Sequence, residues 1–176
     1  MFENQLLAIE WLVWTKPSDI VIYVKEHPKQ FFSRSTVRYR PIDFYKKIIS
    51  MPSVKLISRD INTFDLLDNS IAAATITGTV ALEAIWREKP VFLFGYHVYQ
   101  YAPGVFPIRN LEDCYSAMKQ ILVEGFRPEK KDVALFLKAL KETSVEPEPF
   151  EYAHSVATAQ DIDSFADRLY DFINTL

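Results

Sequence analysis

The stretch that most constrains this chain is residues 71–95, IAAATITGTVALEAIWREKPVFLFG. It predicts a short apolar strand, a Thr-Gly-Thr turn at residues 77–79, a helix over residues 80–87 and a second apolar strand over residues 91–94. Two buried strands joined by a helix form a βαβ unit, and such a unit requires a parallel sheet. The central part of the chain therefore predicts an α/β fold.

The Thr-Gly-Thr turn lies where α/β proteins bind ligands, outside the carboxyl ends of the strands. Free backbone N–H groups at the following helix N-terminus favour an anion there. Thr77 and Thr79 offer hydroxyl groups, and Gly78 lets a ligand approach the backbone. We predict a phosphate site at this turn. The structural alternative is a tight strand-to-helix turn with a capping threonine, and no Walker loop or Gly-rich Rossmann fingerprint is present.

The same alternation of strand and helix extends to both sides of this unit. Strands are expected at residues 19–25 and 54–58, with a helix at residues 41–51 between them, so the chain predicts a Rossmann-like, doubly wound parallel sheet. With 176 residues, of which 49% are hydrophobic, residues 1–176 suit a single domain. Further helices are expected at residues 3–14, 64–68, 110–124, 130–141 and 159–176.

Composition argues against several classes of protein. The net charge of −3 disfavours a nucleic-acid binder. A lone cysteine, Cys114, allows no internal disulfide, and no apolar run is long enough for a membrane span, so a cytoplasmic location is expected. His27, His97 and His154 lack metal-ligand spacing, and we expect neither a metal nor a cofactor.

His27 is the histidine with the most informative position. The strand at residues 19–25 runs into Glu26 and His27, and Pro28 cannot continue a central strand. The imidazole, beside Lys25, is therefore placed at a strand's carboxyl end, where it could donate a hydrogen bond to a phosphate or, as imidazolium, offset its charge. The alternative is a purely structural strand end.

Two further features have open interpretations. Glu83 follows the Thr-Gly-Thr turn on an otherwise apolar helix, where a buried carboxylate needs a partner such as a ribose diol; the alternative is a solvated surface glutamate. Aromatic side chains follow the second strand of the βαβ unit in a segment that we call the aromatic loop (Tyr96, His97, Tyr99 and Tyr101). They could stack on a base or sugar ring, or pack against a partner domain.

Together these motifs resemble the capsule polysaccharide biosynthesis family, and more broadly the C-terminal, donor-binding half of a GT-B glycosyltransferase. The resemblance spans about residues 21–122. Glu88 stands where the family usually has glycine, and the Thr-Gly-Thr turn replaces Asn-Ser-Thr. The matching residues are Lys25, His27, Pro28, Thr77, Thr79, Glu83, Ala84, Lys89, Pro90, Gly95, Tyr99 and Gly104.

This resemblance implies transfer of a sugar from a nucleotide donor, with a CMP-sugar such as CMP-Kdo or CMP-sialic acid favoured. His27 would be the catalytic residue and would contact the donor phosphate together with Lys25 and the Thr-Gly-Thr turn. Glu83 and Tyr99 would contact the ribose or nucleotide. Electrostatic stabilisation of the departing phosphate suits this chemistry and requires no metal.

The resemblance also implies partners, because a GT-B enzyme has two such domains with the active site between them. We expect an N-terminal domain or other polysaccharide assembly proteins to complete the site, at the inner face of the membrane. Residues 159–176 would pack across to that domain, and the isolated chain would transfer nothing. Self-association through the aromatic loop is also expected. The alternatives are a CDP-glycerol-type glycerophosphotransferase domain and a non-catalytic protein-docking domain.

Overall fold

The computed structural model describes residues 4–27 and 41–143. Pro28 of the His-Pro pair and the expected helix at residues 159–176 lie outside the described residues. The chain divides into two compact units, Met1–Ala134 and Leu135–Leu176, and every strand below belongs to the first.

The described elements follow the predicted alternation, and each strand is three residues long. The helices are α1 (Gln5–Thr15), α2 (Ile42–Ser50), α3 (Thr63–Asp68), α4 (Val80–Trp86), α5 (Leu111–Leu122) and α6 (Lys130–Glu142). The strands are β1 (Ile22–Val24), β2 (Val54–Leu56), β3 (Ala73–Thr75), β4 (Val91–Leu93) and β5 (Val105–Pro107), and a 3₁₀ turn covers Val98–Tyr101.

All the described strands pair in parallel, in two sheets. In the two-stranded sheet, β1 lies beside β2 with Ile22 opposite Val54. In the three-stranded sheet, β4 lies between β3 and β5, with Val91 opposite both Ala73 and Val105. The predicted α/β fold with parallel, Rossmann-like strand–helix alternation is confirmed, with the strands divided between two sheets.

β4 is the buried centre of the three-stranded sheet. All three of its residues are buried, as expected for a central parallel strand covered on both faces. Helix α4 packs on β3 and β4, while α1 packs on α5. The main core cluster joins α1, β4 and α5 through Ala8, Leu12, Phe92, Phe94, Ile108, Cys114, Ala117, Met118 and Ile121.

Asparagine side chains cap the starts of α1, α3 and α5. The Asn62 side chain accepts a hydrogen bond from the N–H of Phe64 at the start of α3. Asn110 and Asp113 form a capping box at the start of α5, because each side chain accepts from the other residue's backbone N–H. Among the described residues, no helix combines the length and the apolar character needed to cross a bilayer.

The end of α4 explains why glycine is common at the position of Glu88 in the family that the sequence resembles. The N–H of Glu88 donates to the Ile85 carbonyl and the N–H of Lys89 donates to the Ala84 carbonyl, both at 3.0 Å. This pair of bonds is a Schellman motif, which places the residue after the helix in the left-handed region. Glu88 accordingly has a φ of +59°, a conformation that strains any residue with a Cβ.

We expect Glu88→Gly to raise the free energy of unfolding by up to about 1 kcal/mol, because glycine adopts this conformation without strain. The Glu88 carboxylate lies 3.9 Å from Lys130 Nζ, but both side chains are more than half exposed, so this ion pair contributes little. Urea denaturation measures the change. Glu88→Ala keeps the Cβ and serves as the control; equal stability of the two variants would contradict this explanation.

The ends of β3 and β4 approach each other most closely at Gly95. Its N–H donates to the Ile76 carbonyl oxygen at 2.8 Å. A Cβ on Gly95 would lie 2.6 Å from that oxygen and 2.6 Å from Thr77 Cγ2. No side chain fits between these atoms without a movement of the backbone.

Gly95→Ala should therefore lower the free energy of unfolding by about 3 kcal/mol, as overpacking against rigid backbone does. Gly125→Ala is the control. A Cβ there meets nothing within 4 Å, but the φ of +71° makes the change cost about 1 kcal/mol. Chemical denaturation of both variants checks the difference, and equal losses would show that the approach at Gly95 is not tight.

Candidate functional site

Three segments come together at the carboxyl edge of the three-stranded sheet. The Thr-Gly-Thr turn follows β3, the aromatic loop follows β4 and Arg109 follows β5. Because the strands are parallel, their carboxyl ends lie at the same edge, and this is where α/β proteins bind ligands. We take this edge as the candidate site.

The Thr-Gly-Thr turn is open to solvent, and all three of its residues are exposed. The Gly78 N–H donates to Thr75 Oγ1 at 3.0 Å, which closes the turn. Thr79 is the N-cap residue of α4, and its side chain makes no capping hydrogen bond. Within the described part of the chain, the hydroxyls of Thr77 and Thr79 have no hydrogen-bond partner. Both are available to a ligand.

Tyr99 supports this turn from inside the protein. Its residue is only 2% exposed, and its hydroxyl donates to the backbone carbonyl of Thr77. Burial raises the pKa of the phenol above its ordinary value of 10.0, so the hydroxyl stays protonated at neutral pH. The residue sits in the 3₁₀ turn, where the sequence predicted only a loop. The structure shows this supporting role, while contact of Tyr99 with a nucleotide stays a prediction.

Arg109 is a site residue that the sequence analysis missed. Its Nη1 donates to the carbonyls of Leu93 at 3.3 Å and Gly95 at 3.2 Å, and its Nη2 donates to Gln100 Oε1 at 2.8 Å. The guanidinium carbon also lies 4.0 Å from the centre of the Tyr96 ring. Arg109 therefore holds the aromatic loop to the strand that the loop follows. The one available signal was an arginine directly before the helix predicted at residues 110–124.

Glu83 lies in the first turn of α4 and is half-buried. Its backbone N–H donates to the Thr79 carbonyl at 3.4 Å, so the residue sits one turn from the Thr-Gly-Thr turn. Within the described residues its carboxylate makes no hydrogen bond or ion pair. An acidic residue in the first turn of a helix is favourable by itself. A ribose diol as its partner stays a prediction.

A second group of candidates lies at the carboxyl edge of the two-stranded sheet. The Lys25 Nζ donates to Thr63 Oγ1 at 2.8 Å, at the start of α3. His27 is exposed two residues further along. That His27, Lys25 and the Thr-Gly-Thr turn bind one phosphate stays a prediction. A cavity of about 230 Å³ opens at the same edge and is lined by Glu26, Tyr45, Leu56, Ile57 and Arg59.

The cysteine is structural. Cys114 is fully buried, and its Sγ lies 3.3 Å from Thr15 Oγ1. Burial raises the pKa of the thiol, so the unreactive protonated form prevails at neutral pH. In the described ranges, no three His, Cys, Asp or Glu side chains are grouped so that they could hold a metal ion.

The fold and this edge define an α/β protein with a solvent-open, hydroxyl-bearing turn at the carboxyl ends of parallel strands. Residues 6–138 match the family described as capsule polysaccharide biosynthesis protein, and the chain belongs to that family. The matched range includes the Thr-Gly-Thr turn, the aromatic loop and Arg109. No curated protein and no solved structure matches the chain.

Tyr99→Phe removes the hydroxyl that reaches Thr77 and keeps the ring. We expect the free energy of unfolding to fall by about 1 kcal/mol at pH 7. The folded pKa of Tyr99 is raised, so the unfolded chain ionises first, and the advantage of the parent over the variant shrinks as the pH rises past about 10. Urea denaturation of both proteins at pH 7 and above pH 10 measures this. A difference that does not change with pH would contradict the assignment.

Proposed function

We propose that this chain is the donor-binding domain of a glycosyltransferase in capsule or surface polysaccharide biosynthesis, and that it binds a nucleotide-activated sugar. The observation that carries the proposal is the Thr-Gly-Thr turn, with two exposed hydroxyls that have no partner among the described residues. It stands at the ligand-binding edge of a parallel sheet, in a member of the capsule family.

Phosphate recognition at this turn uses hydrogen bonds from small groups. The hydroxyls of Thr77 and Thr79 donate to phosphate oxygens, and charge-assisted bonds of this kind are about twice as strong as neutral ones. Gly78 has no side chain to keep the phosphate away from the backbone. A Cβ there would also lie 2.8 Å from Thr75 Oγ1, so glycine suits both the turn and its ligand.

In this proposal, residues at the carboxyl edge of the two-stranded sheet supply positive charge to the phosphate. Lys25 and His27 follow β1, and His27 is exposed. When the bond between sugar and phosphate breaks, negative charge grows on the departing phosphate. A histidine that donates a hydrogen bond there stabilises that charge more in the transition state than in the ground state, which is the requirement for catalysis.

The donor that we favour is a CMP-sugar, such as CMP-Kdo or CMP-sialic acid, because the His-Pro pair resembles that of transferases using such donors. Glu83 then accepts hydrogen bonds from the ribose hydroxyls, which gives its carboxylate a partner. Since a GT-B active site lies between two domains, we assign the acceptor site and the general base to a second α/β domain. The isolated chain then binds the donor without transferring sugar, and the assembled enzyme works at the inner face of the membrane.

Nucleotide binding by the 176-residue chain is the direct test. We expect CMP or CDP to raise the melting temperature, and calorimetric titration to show that Thr79→Val weakens binding about tenfold, since one charge-assisted hydrogen bond is lost. His27→Ala should weaken binding by a similar factor, because it removes a donor to the same phosphate.

Thr143→Val is the matched control. Thr143 is exposed, and its hydroxyl donates to the Ala139 carbonyl at 2.8 Å at the end of α6. This change should leave nucleotide affinity unaltered. If CMP, CDP and UDP all fail to stabilise the parent chain, the donor-binding proposal is wrong, and a protein-docking role is favoured instead.

A further inference from the structure

The structure separates the rings of the aromatic loop into different environments. Tyr99 is 2% exposed, whereas Tyr96 is 59% and Tyr101 77% exposed. His97 is exposed as well. Within the described residues, the Tyr101 ring has no ring or cation contact. The side chains of this loop therefore cannot all share one role.

His97 and Tyr99 form a stacked pair. Their ring centres lie 3.7 Å apart and the planes are inclined by 24°. Tyr99 covers one face of the imidazole, His97 is exposed, and within the described residues no second ring packs on it. At its other end the Tyr99 ring reaches Thr77 through its hydroxyl. Tyr99 therefore contacts His97 through its ring and the Thr-Gly-Thr turn through its hydroxyl.

The backbone holds this pair in place. The Gln100 N–H donates to the His97 carbonyl at 2.9 Å, and the Ala102 N–H donates to the Tyr99 carbonyl at 3.0 Å, within the 3₁₀ turn. Arg109 fixes the same turn from the side through its hydrogen bond to Gln100. A ring that is already ordered loses less conformational freedom when a ligand stacks on it.

We propose that His97 is the stacking surface for the heterocyclic base of the bound nucleotide, with Tyr99 as its support. This inference rests on the proposed function. It assigns a contact to the base, which the proposed phosphate contacts at the turn do not involve. Histidine is one of the side chains on which bases stack in proteins. Stacking tolerates any base, since each has a π-face. His97 therefore strengthens binding of nucleotides over sugar phosphates without selecting the base.

Neither Tyr96 nor Tyr101 meets the same conditions. The Tyr96 ring is packed against the Arg109 guanidinium, and among the described residues no hydrogen bond joins the Tyr96 side chain to the Thr-Gly-Thr turn. Tyr101 lacks a supporting ring. Among the exposed rings of the loop, only His97 stacks on Tyr99, whose hydroxyl also contacts the Thr-Gly-Thr turn.

The test compares a ligand that has a base with one that lacks it. CMP and ribose 5-phosphate are titrated by calorimetry into the parent chain, His97→Phe, His97→Leu and the control Tyr101→Leu. His97→Phe keeps an aromatic face, whereas His97→Leu keeps apolar packing on Tyr99 without one. We expect His97→Leu to weaken CMP binding about tenfold and to leave ribose 5-phosphate binding unchanged. His97→Phe and Tyr101→Leu should bind both ligands as the parent does.

The outcomes separate this inference from the proposed function. If the parent binds CMP and His97→Leu binds it equally well, the stacking assignment is wrong while nucleotide binding stands. Equal weakening of CMP and ribose 5-phosphate in His97→Leu also overturns it, because the residue then acts on the phosphate or the fold. If the parent binds neither ligand, the proposed function fails and this inference fails with it. Thermal melting of each variant confirms that the chain is folded.

Discussion

The close approach of two strand ends at Gly95 is the constraint on which the rest of the site depends. The Gly95 N–H reaches the Ile76 carbonyl at 2.8 Å, and that contact sets the distance between the segment after β3 and the segment after β4. Tyr99 then connects the aromatic loop to Thr77, and Arg109 ties the loop back to the end of β4. These contacts within the protein assemble the candidate ligand surface.

Arg109 shows that a cation at a ligand-binding edge need not serve the ligand. Its guanidinium donates to backbone carbonyls and to Gln100 and lies against Tyr96. The Leu93 carbonyl also accepts from the Ile108 N–H at 2.8 Å, whereas the Gly95 carbonyl lies just beyond the end of β4, where the arginine supplies it with a hydrogen bond. In our proposal the positive charge for a phosphate comes instead from Lys25 and His27, on the other sheet.

The chain carries a net charge of −3, yet we assign it an anionic ligand. Local groups decide such binding, because exposed charges beyond a Debye length of about 10 Å are largely screened. In our proposal, two threonine hydroxyls and backbone N–H groups recognise phosphate without a large positive field. Recognition of this kind depends on geometry, and the contacts of Tyr99 and Arg109 hold the turn and the loop in place.

Local information was enough to predict the order of strands and helices and the parallel βαβ unit. Periodicity and capping act over three or four residues, so the sequence alone contains them. The burial of Tyr99 and the role of Arg109 were decided by tertiary structure. Each depends on atoms from another segment, and a hydrogen bond from residue 109 to residue 93 leaves no trace in any short stretch of sequence.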